Sequence, residues 1–295
     1  MNRYESALAS FSRFAARTLT FEACAAALIL LTLFLAPAAL AQTSSSSLNP
    51  TQLEIEKERR RLSSSDMEER RDAVMRLGWM ARPDASRAAA QALQDGSPMV
   101  RATAARALLS MPPDEAASAL TPLLQDKDEF VRQETAYALG ETRSRLAVQP
   151  LVAALERDKR ESVRGAAAVA LGKIGDESAV IPLAGRLSVR IRASGLFSRI
   201  TRGRSAENEF VRRAAARSLG QIGSRAAVPA LIETLSDMRA EDDVRREAAR
   251  SLGIIGDAAA VPALRTALAA NDPYLSRIAY ESLLKIAPAE ATRPL

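Results

Sequence analysis

The sequence predicts an all-α solenoid, a stack of about six to seven helix pairs, on three observations. A unit of 31 to 33 residues recurs along most of the chain. Its apolar residues fall at helical spacing with no strand-like alternation, and glycine and proline mark where its helices stop and start. A fixed period of this length is the signature of a repeat architecture, in which one unit cannot bury its apolar face alone and stacking supplies the core.

The register rests on a Val-Arg pair followed eight residues later by leucine and usually glycine. The pairs are Val100-Arg101, Val131-Arg132, Val163-Arg164, Val211-Arg212 and Val244-Arg245, with degenerate copies at Glu69-Arg70 and Leu275-Ser276. Successive starts lie 31, 31, 32, 48, 33 and 31 residues apart. Val211, Ala215, Ser218 and Leu219 occupy i, i+4, i+7 and i+8, one face of an α-helix. Gly223 then stands where a helix closes in a left-handed cap, as do Gly175 and Gly256. The partner helix opens with Pro229, and with Pro150, Pro182 and Pro262 in other units, where the missing N–H has no intrahelical acceptor to lose. Ala138, Ala170, Ser218 and Ser251 let neighbouring helices approach closely, and Leu139, Leu171, Leu219 and Leu252 fill the seam.

Ahead of the repeats, residues 1–41 read as an export signal. Arg3, Arg13 and Arg17 precede an apolar run from Ala23 to Leu35, Pro37 breaks it, and Ala39-Leu40-Ala41 offers the small-x-small exit that a signal peptidase accepts. Cleavage leaves Gln42 first; an uncleaved Ala23–Ala41 anchor is the alternative, with the rest of the chain on the same side of the membrane. Residues 42–65 divide into a serine-rich tether and a charged leading helix from Thr51 to Arg61, so the solenoid spans 66–295.

Composition removes most enzyme chemistry. The 295 residues contain no histidine and one cysteine, Cys24, inside the export segment. Ser-His-Asp and Cys-His catalysis, His-ligated zinc and a disulfide framework are excluded. No catalytic, cofactor-binding or metal-ligating residue is expected, and no cofactor.

The VRxxAAxALGxIG helices and the AVxPLxxxL helices, joined by a turn bearing aspartate, resemble HEAT repeats, in particular the short HEAT-like repeats first associated with phycobilisome lyases. The resemblance covers roughly residues 66–295. It implies a stabilising ladder pairing Asp95 with Arg101, Asp126 with Arg132 and Asp158 with Arg164, lapsing later where Ala206 and Arg239 occupy the aspartate positions. It also implies that the Val-Arg helix lines the concave side, and the absence of histidine rules out the di-iron hydroxylases among HEAT-repeat proteins. The architecture hosts many unrelated roles.

Function is sought where the repeat departs from itself. The long interval reflects a basic insertion at about 188–207, carrying Arg190, Arg192, Arg199, Arg202 and Arg204 with no acidic residue before Glu207. Positions two and six after the register valine are mixed in the N-terminal half, but give Arg213 and Arg217, Arg246 and Arg250, then Arg277 and Glu281 in the C-terminal half. Residues 185–250 hold 14 Arg against 8 acidic residues, a local +6 that equals the net charge of the whole chain. These arginines predict a docking surface for an acidic partner, since a planar guanidinium binds carboxylate bidentately; solvated charge is the plain alternative. Trp79, the lone tryptophan, is expected to be at least half exposed and to cap the stack against the Thr51–Arg61 helix, with ligand stacking as the alternative.

The expected function is a non-enzymatic protein–protein scaffold, periplasmic or secreted, with an acidic protein partner. The alternatives are a bilin-lyase-like enzyme and a nucleic-acid-binding HEAT protein. Export argues against both, and stacking aromatics are scarce on the basic surface.

Overall fold

The computed structural model describes residues 49–188, 190–192 and 204–291. The export segment and serine tether, and Arg199 and Arg202 of the insertion, lie outside the described residues. Among the described residues no helix is long and apolar enough to cross a membrane.

The chain is an all-α solenoid. Helix α1 (Pro50–Arg61) opens with a reciprocal capping box between Asn49 and Gln52, at 2.8 and 3.0 Å. Two alternating sets follow. The Val-Arg helices are α2 (Met67–Trp79), α4 (Pro98–Ala107), α6 (Glu129–Thr142), α8 (Glu161–Ile174), α10 (Glu209–Ile222), α12 (Asp242–Ile255) and α14 (Pro273–Ile286). The helices between them are α3 (Pro83–Ala89), α5 (Pro113–Leu120), α7 (Val148–Arg157), α9 (Val180–Ser188), α11 (Val228–Ser236) and α13 (Val261–Leu268). Each Val-Arg helix packs on the next of its own kind and on its sequence neighbours, giving two layers. The register leucines Leu77, Leu108, Leu139, Leu171, Leu219, Leu252 and Leu283 are fully buried between them. Facing them are Leu120, Leu151, Leu183, Leu231 and Leu264 of the second layer.

The helix ends follow local chemistry. Gly175 closes α8 at φ +75°, and Gly223 and Gly256 repeat that left-handed geometry. Ser144, Asp176, Ser224 and Asp257 each cap the short 3-10 turn that leads into α7, α9, α11 and α13. Within the insertion, β1 (Arg190–Arg192) pairs antiparallel with β2 (Arg204–Ala206), Arg192 opposite Arg204. This ladder was not foreseen, because three-residue strands carry too little alternation to read.

The seam between Val-Arg helices is closer than alanine alone allows. Cα of Ala170 lies where a Cβ on Gly140 would be only 2.6 Å away. In the C-terminal half the small residue is serine, and it bonds across the seam. Ser218 Oγ donates to the Ala168 carbonyl at 2.7 Å, Ser251 to Ala216 at 2.8 Å and Ser282 to Ala249 at 3.0 Å. Each buried hydroxyl is thereby satisfied.

An arginine ladder ties the turns together. Arg70 donates to both carboxylate oxygens of Asp95 at 2.6 and 3.0 Å. Arg101 holds Asp126 at 2.7 and 2.8 Å, and Arg132 holds Asp158 at 2.7 and 3.1 Å. The third guanidinium nitrogen of Arg101 reaches the Asp95 carbonyl at 2.7 Å, and that of Arg132 the Asp126 carbonyl at 2.9 Å. One arginine therefore staples two consecutive turns. The expected pairing of Asp95 with Arg101, Asp126 with Arg132 and Asp158 with Arg164 is corrected accordingly. Within a turn the arginine meets the backbone carbonyl of the aspartate, as Arg164 does at Asp158 (2.9 Å), while the carboxylate belongs to the arginine one repeat earlier. Each carboxylate also accepts the N–H two residues on, at Ser97, Asp128 and Arg160, which fixes its orientation.

Nor does the ladder lapse. Glu207, one residue beyond Ala206, takes the Arg164 fork at 2.6 and 3.2 Å, and Glu241 accepts from Arg212 at 2.6 Å. In the last rung the register arginine Arg245 turns to the Leu235 carbonyl at 3.1 Å. Its neighbour Arg246 grips Asp272 instead, at 2.7 and 2.9 Å.

These rungs set a pH dependence. The Arg70 hydrogen bonds hold Asp95 below the usual carboxylate range, and Arg246 does the same for Asp272. At Asp126 and Asp158 burial pushes the carboxyl up, but the guanidinium and turn N–H bonds outweigh it and leave both lowered. A lowered folded-state value means stability that is present above the unfolded value and lost as pH falls through the folded one. The urea midpoint is expected to stay level from neutral pH down to about 5 and to fall steeply below about 4. Asp126→Asn should flatten part of that fall; an unchanged acid limb in the variant would remove this rung from the account.

Candidate functional site

The positions two and six after the register valine converge in the C-terminal half on a groove of about 310 Å³, formed by α10, α12 and α14. Its lining is Arg213, Arg217, Asp243, Arg246, Glu247, Arg250, Tyr274 and Ile278. The acidic members come from the positions one before and three after the valine of α12, so they face the arginines of two neighbouring helices. Asp243 is shared between Arg213 at 3.2 Å and Arg246 at 2.8 Å. Glu247 is shared between Arg217 at 3.1 Å and Arg250 at 3.2 Å. Four guanidinium groups meet Asp243 and Glu247 in the groove and Asp272 behind Arg246, which leaves one positive charge uncompensated.

The carboxylates offset part of the guanidinium charge and also aim the arginines. Glu247 is only 5% exposed, whereas Arg217 and Arg250 keep about half of their side-chain surface in solvent (57% and 49%). A guanidinium with one edge held by a carboxylate still presents further N–H donors in a fixed fork. Arg246 is braced a second way, with its Cζ 5.1 Å from the centre of the Tyr274 ring. The floor is thus pre-ordered: Arg246 gives all three nitrogens to Asp243 and Asp272, while Arg213, Arg217 and Arg250 keep donors that can meet an incoming anion.

At the other end of the same helix layer, the equivalent positions build an apolar pocket of about 480 Å³ between α2, α4 and α6. Met75, Trp79, Met99, Leu109 and Phe130 form its walls, with Arg106 and Glu134 at 3.6 Å from one another on its rim. Trp79 is 77% exposed there. It lines an open pocket rather than sealing the stack against α1, which docks through Ile55 and the buried Glu58 instead. The cap role expected for Trp79 is replaced by this position.

The family model of HEAT repeats matches residues 59–140, 120–193 and 196–285, nearly the whole of the helical region. The chain belongs to the HEAT-repeat family. No curated protein matches it. Among solved structures, it is similar to the complex of CpcE and CpcF of phycocyanin lyase from Nostoc sp. PCC7120, at 25% identity over 83% of this chain and 92% of that one, TM-score 0.46. It is similar to human deoxyhypusine hydroxylase at 22% identity over 79% and 84%, TM-score 0.39. YibA of Escherichia coli aligns at 20% identity over 80% and 81%, TM-score 0.54. These likenesses concern the HEAT architecture and assign no role.

Of the HEAT-face arginines singled out in the sequence, Arg213, Arg217, Arg246 and Arg250 come together. Arg246 does double duty, because it is also the last rung of the ladder. Arg277 does not join them: it is 77% exposed and pairs with Glu281 in its own helix at 2.9 Å. Arg190, Arg192 and Arg204 lie on the β1–β2 ladder. Sequence reading missed Asp243, Glu247 and Tyr274. The available signal was their register, one before or three after the valine, which flanks the arginine positions on the same helical face.

Proposed function

We propose that this chain is an exported, non-enzymatic docking scaffold whose arginine groove takes an acidic protein partner. The observation that carries this reading is the two-to-one arrangement, each carboxylate held between two arginines on adjacent helices, with Arg213, Arg217 and Arg250 about half exposed. Such a site binds carboxylates by forked, charge-assisted hydrogen bonds and raises encounter rates with anionic surfaces. The rigid stack beneath it, stapled by the arginine ladder, limits the ordering cost on binding. Export rests on the signal features of residues 1–41, and intact mass of chain recovered from the native host should begin at Gln42. A full-length chain in the cytoplasmic fraction would remove the export half of the proposal.

Arg213→Ser, Arg217→Ser and Arg250→Ser combined, with Arg246 left to hold Asp272, should reduce capture of a Glu-rich polypeptide about tenfold or more at low salt. Helical content should be unchanged by circular dichroism. Equal capture by wild type and triple variant would sink the docking reading. Preferential binding of duplex DNA, with a steep salt slope, would replace the acidic protein by nucleic acid.

A further inference from the structure

The apolar pocket and the arginine groove occupy the same helix positions at opposite ends of one layer. Four large hydrophobic side chains that are exposed to solvent, Trp79, Met99, Leu109 and Phe130, meet in that one pocket. Apolar side chains gathered around a concave site mark an interaction surface, whereas scattered ones need no explanation. The pocket resembles a side-chain socket: aromatic and thioether walls, a small floor at Gly78 and Ala102, and a charged rim at Arg106 and Glu134. Met75 and Met99 give it adaptable walls.

We propose that the pocket is the anchor subsite of a two-part docking face, taking an aromatic or long aliphatic side chain of the same polypeptide whose acidic stretch lies in the arginine groove. This rests on the docking reading above and specifies its partner. The occupant follows from charge complementarity together with alignment of the two sites along one face. Arg106, largely exposed and paired with Glu134 at 3.6 Å, gives the pocket rim polar contacts for the backbone beside the anchor. The pocket centres on α4 and the groove on α12, four helix-to-helix steps apart through α6, α8 and α10. At about 8–10 Å per step this is about 32–40 Å, which about 10–12 residues of extended chain span. The partner is therefore a segment of roughly twenty residues with an apolar anchor at one end and clustered carboxylates at the other.

The sole tryptophan of the chain lies in the pocket, so its own emission reports occupancy. The full chain would be titrated with tryptophan-free peptides carrying a Phe-Leu-Phe anchor, a proline-rich extended spacer of about twelve residues, about 37 Å long, and a run of glutamates. A peptide without the anchor, and one with a spacer too short to span the two sites, serve as controls. The anchored long-spacer peptide is expected to bind about tenfold tighter than the anchorless one and to shift Trp79 emission. The short spacer should lose the gain, and so should Met99→Ala with Phe130→Ala. Equal affinity with and without the anchor, and a silent Trp79, would overturn the anchor subsite while leaving the acidic docking reading standing. Failure of both peptides to bind would overturn the two together. Retention of the full gain in the Arg213/Arg217/Arg250 serine variant would show the pocket acting alone and would also overturn the two-part face.

Discussion

Glu207→Ala is expected to lower the unfolding free energy by about 3–5 kcal/mol, the range found when one partner of a buried ion pair is removed. Glu207 is 1% exposed and lies at the point where the basic insertion rejoins the solenoid. Its two oxygens take the Arg164 fork at 2.6 and 3.2 Å, one also accepts the Asn208 N–H at 2.9 Å, and Arg186 stands 3.7 Å away. Truncation leaves the guanidinium groups of Arg164 and Arg186 without their carboxylate, and Arg164 is 9% exposed and tied to the Asp158 carbonyl at 2.9 Å. The lost charge pairing is the dominant effect, since the single methylene removed with the carboxylate is a smaller apolar burial than a core leucine.

Two controls separate this from general fragility. Glu290→Ala removes an exposed partner of Arg265 at 3.3 Å and should cost less than about 1 kcal/mol. Replacing both Arg164 and Glu207 by Met and Leu should recover part of the loss, because the apolar pair carries no desolvation penalty while Arg186 still lacks its carboxylate. Urea denaturation reads all three. A Glu207→Ala midpoint within error of wild type would mean the rung carries no stability. A lowered m-value would instead show that the stack has come apart at the interface of α8 and α10, as nearest-neighbour coupling in repeat proteins allows.

The ladder also shows what a sequence can and cannot disclose. The register of Val, Arg and Leu was legible because inner-face positions tolerate few residue types, so the period survives through every unit. The left-handed caps at Gly175, Gly223 and Gly256 were legible because few residues other than glycine adopt that conformation readily. The direction of the rungs was not. Asp126 lies 25 residues after Arg101 and six before Arg132, and both spacings are compatible with contact; only the orientation of the fork distinguishes them. Glu207 and Glu241 were hidden for a related reason. A glutamate has one more methylene than an aspartate, so it fills the same place from a shifted position and breaks the apparent motif without breaking the contact. The docking groove was half legible. Its arginines stood out by charge, but Asp243 reads as a helix-start acid and Glu247 as a mid-helix surface charge, and the pocket around Trp79 depends on side chains from three separate repeats.

Gly140→Ala is expected to destabilise the chain by about 1–3 kcal/mol, against the direction that helix propensity alone predicts. An alanine inside a helix is favoured over glycine by about 1 kcal/mol, and Gly140 lies inside α6. Yet a Cβ there would stand 2.6 Å from Cα of Ala170, 2.8 Å from its Cβ and 3.4 Å from its carbonyl oxygen. Two of those atoms are backbone, so no rotamer change relieves the overlap, and α6 and α8 must separate. Separation loosens Leu139 and Leu171, both fully buried beside the contact. It also strains the Arg132–Asp158 rung that joins the same two repeats at 2.7 Å. Gly185 provides the opposite case. It lies inside α9, and a Cβ there would have no atom within 4 Å, so Gly185→Ala should stabilise by about 0.5–1 kcal/mol. The pair of variants has the same chemistry and opposite expected signs, decided by what the added carbon meets. Urea midpoints that move in the same direction for both would mean the close approach of α6 and α8 does not set the stability of this stack.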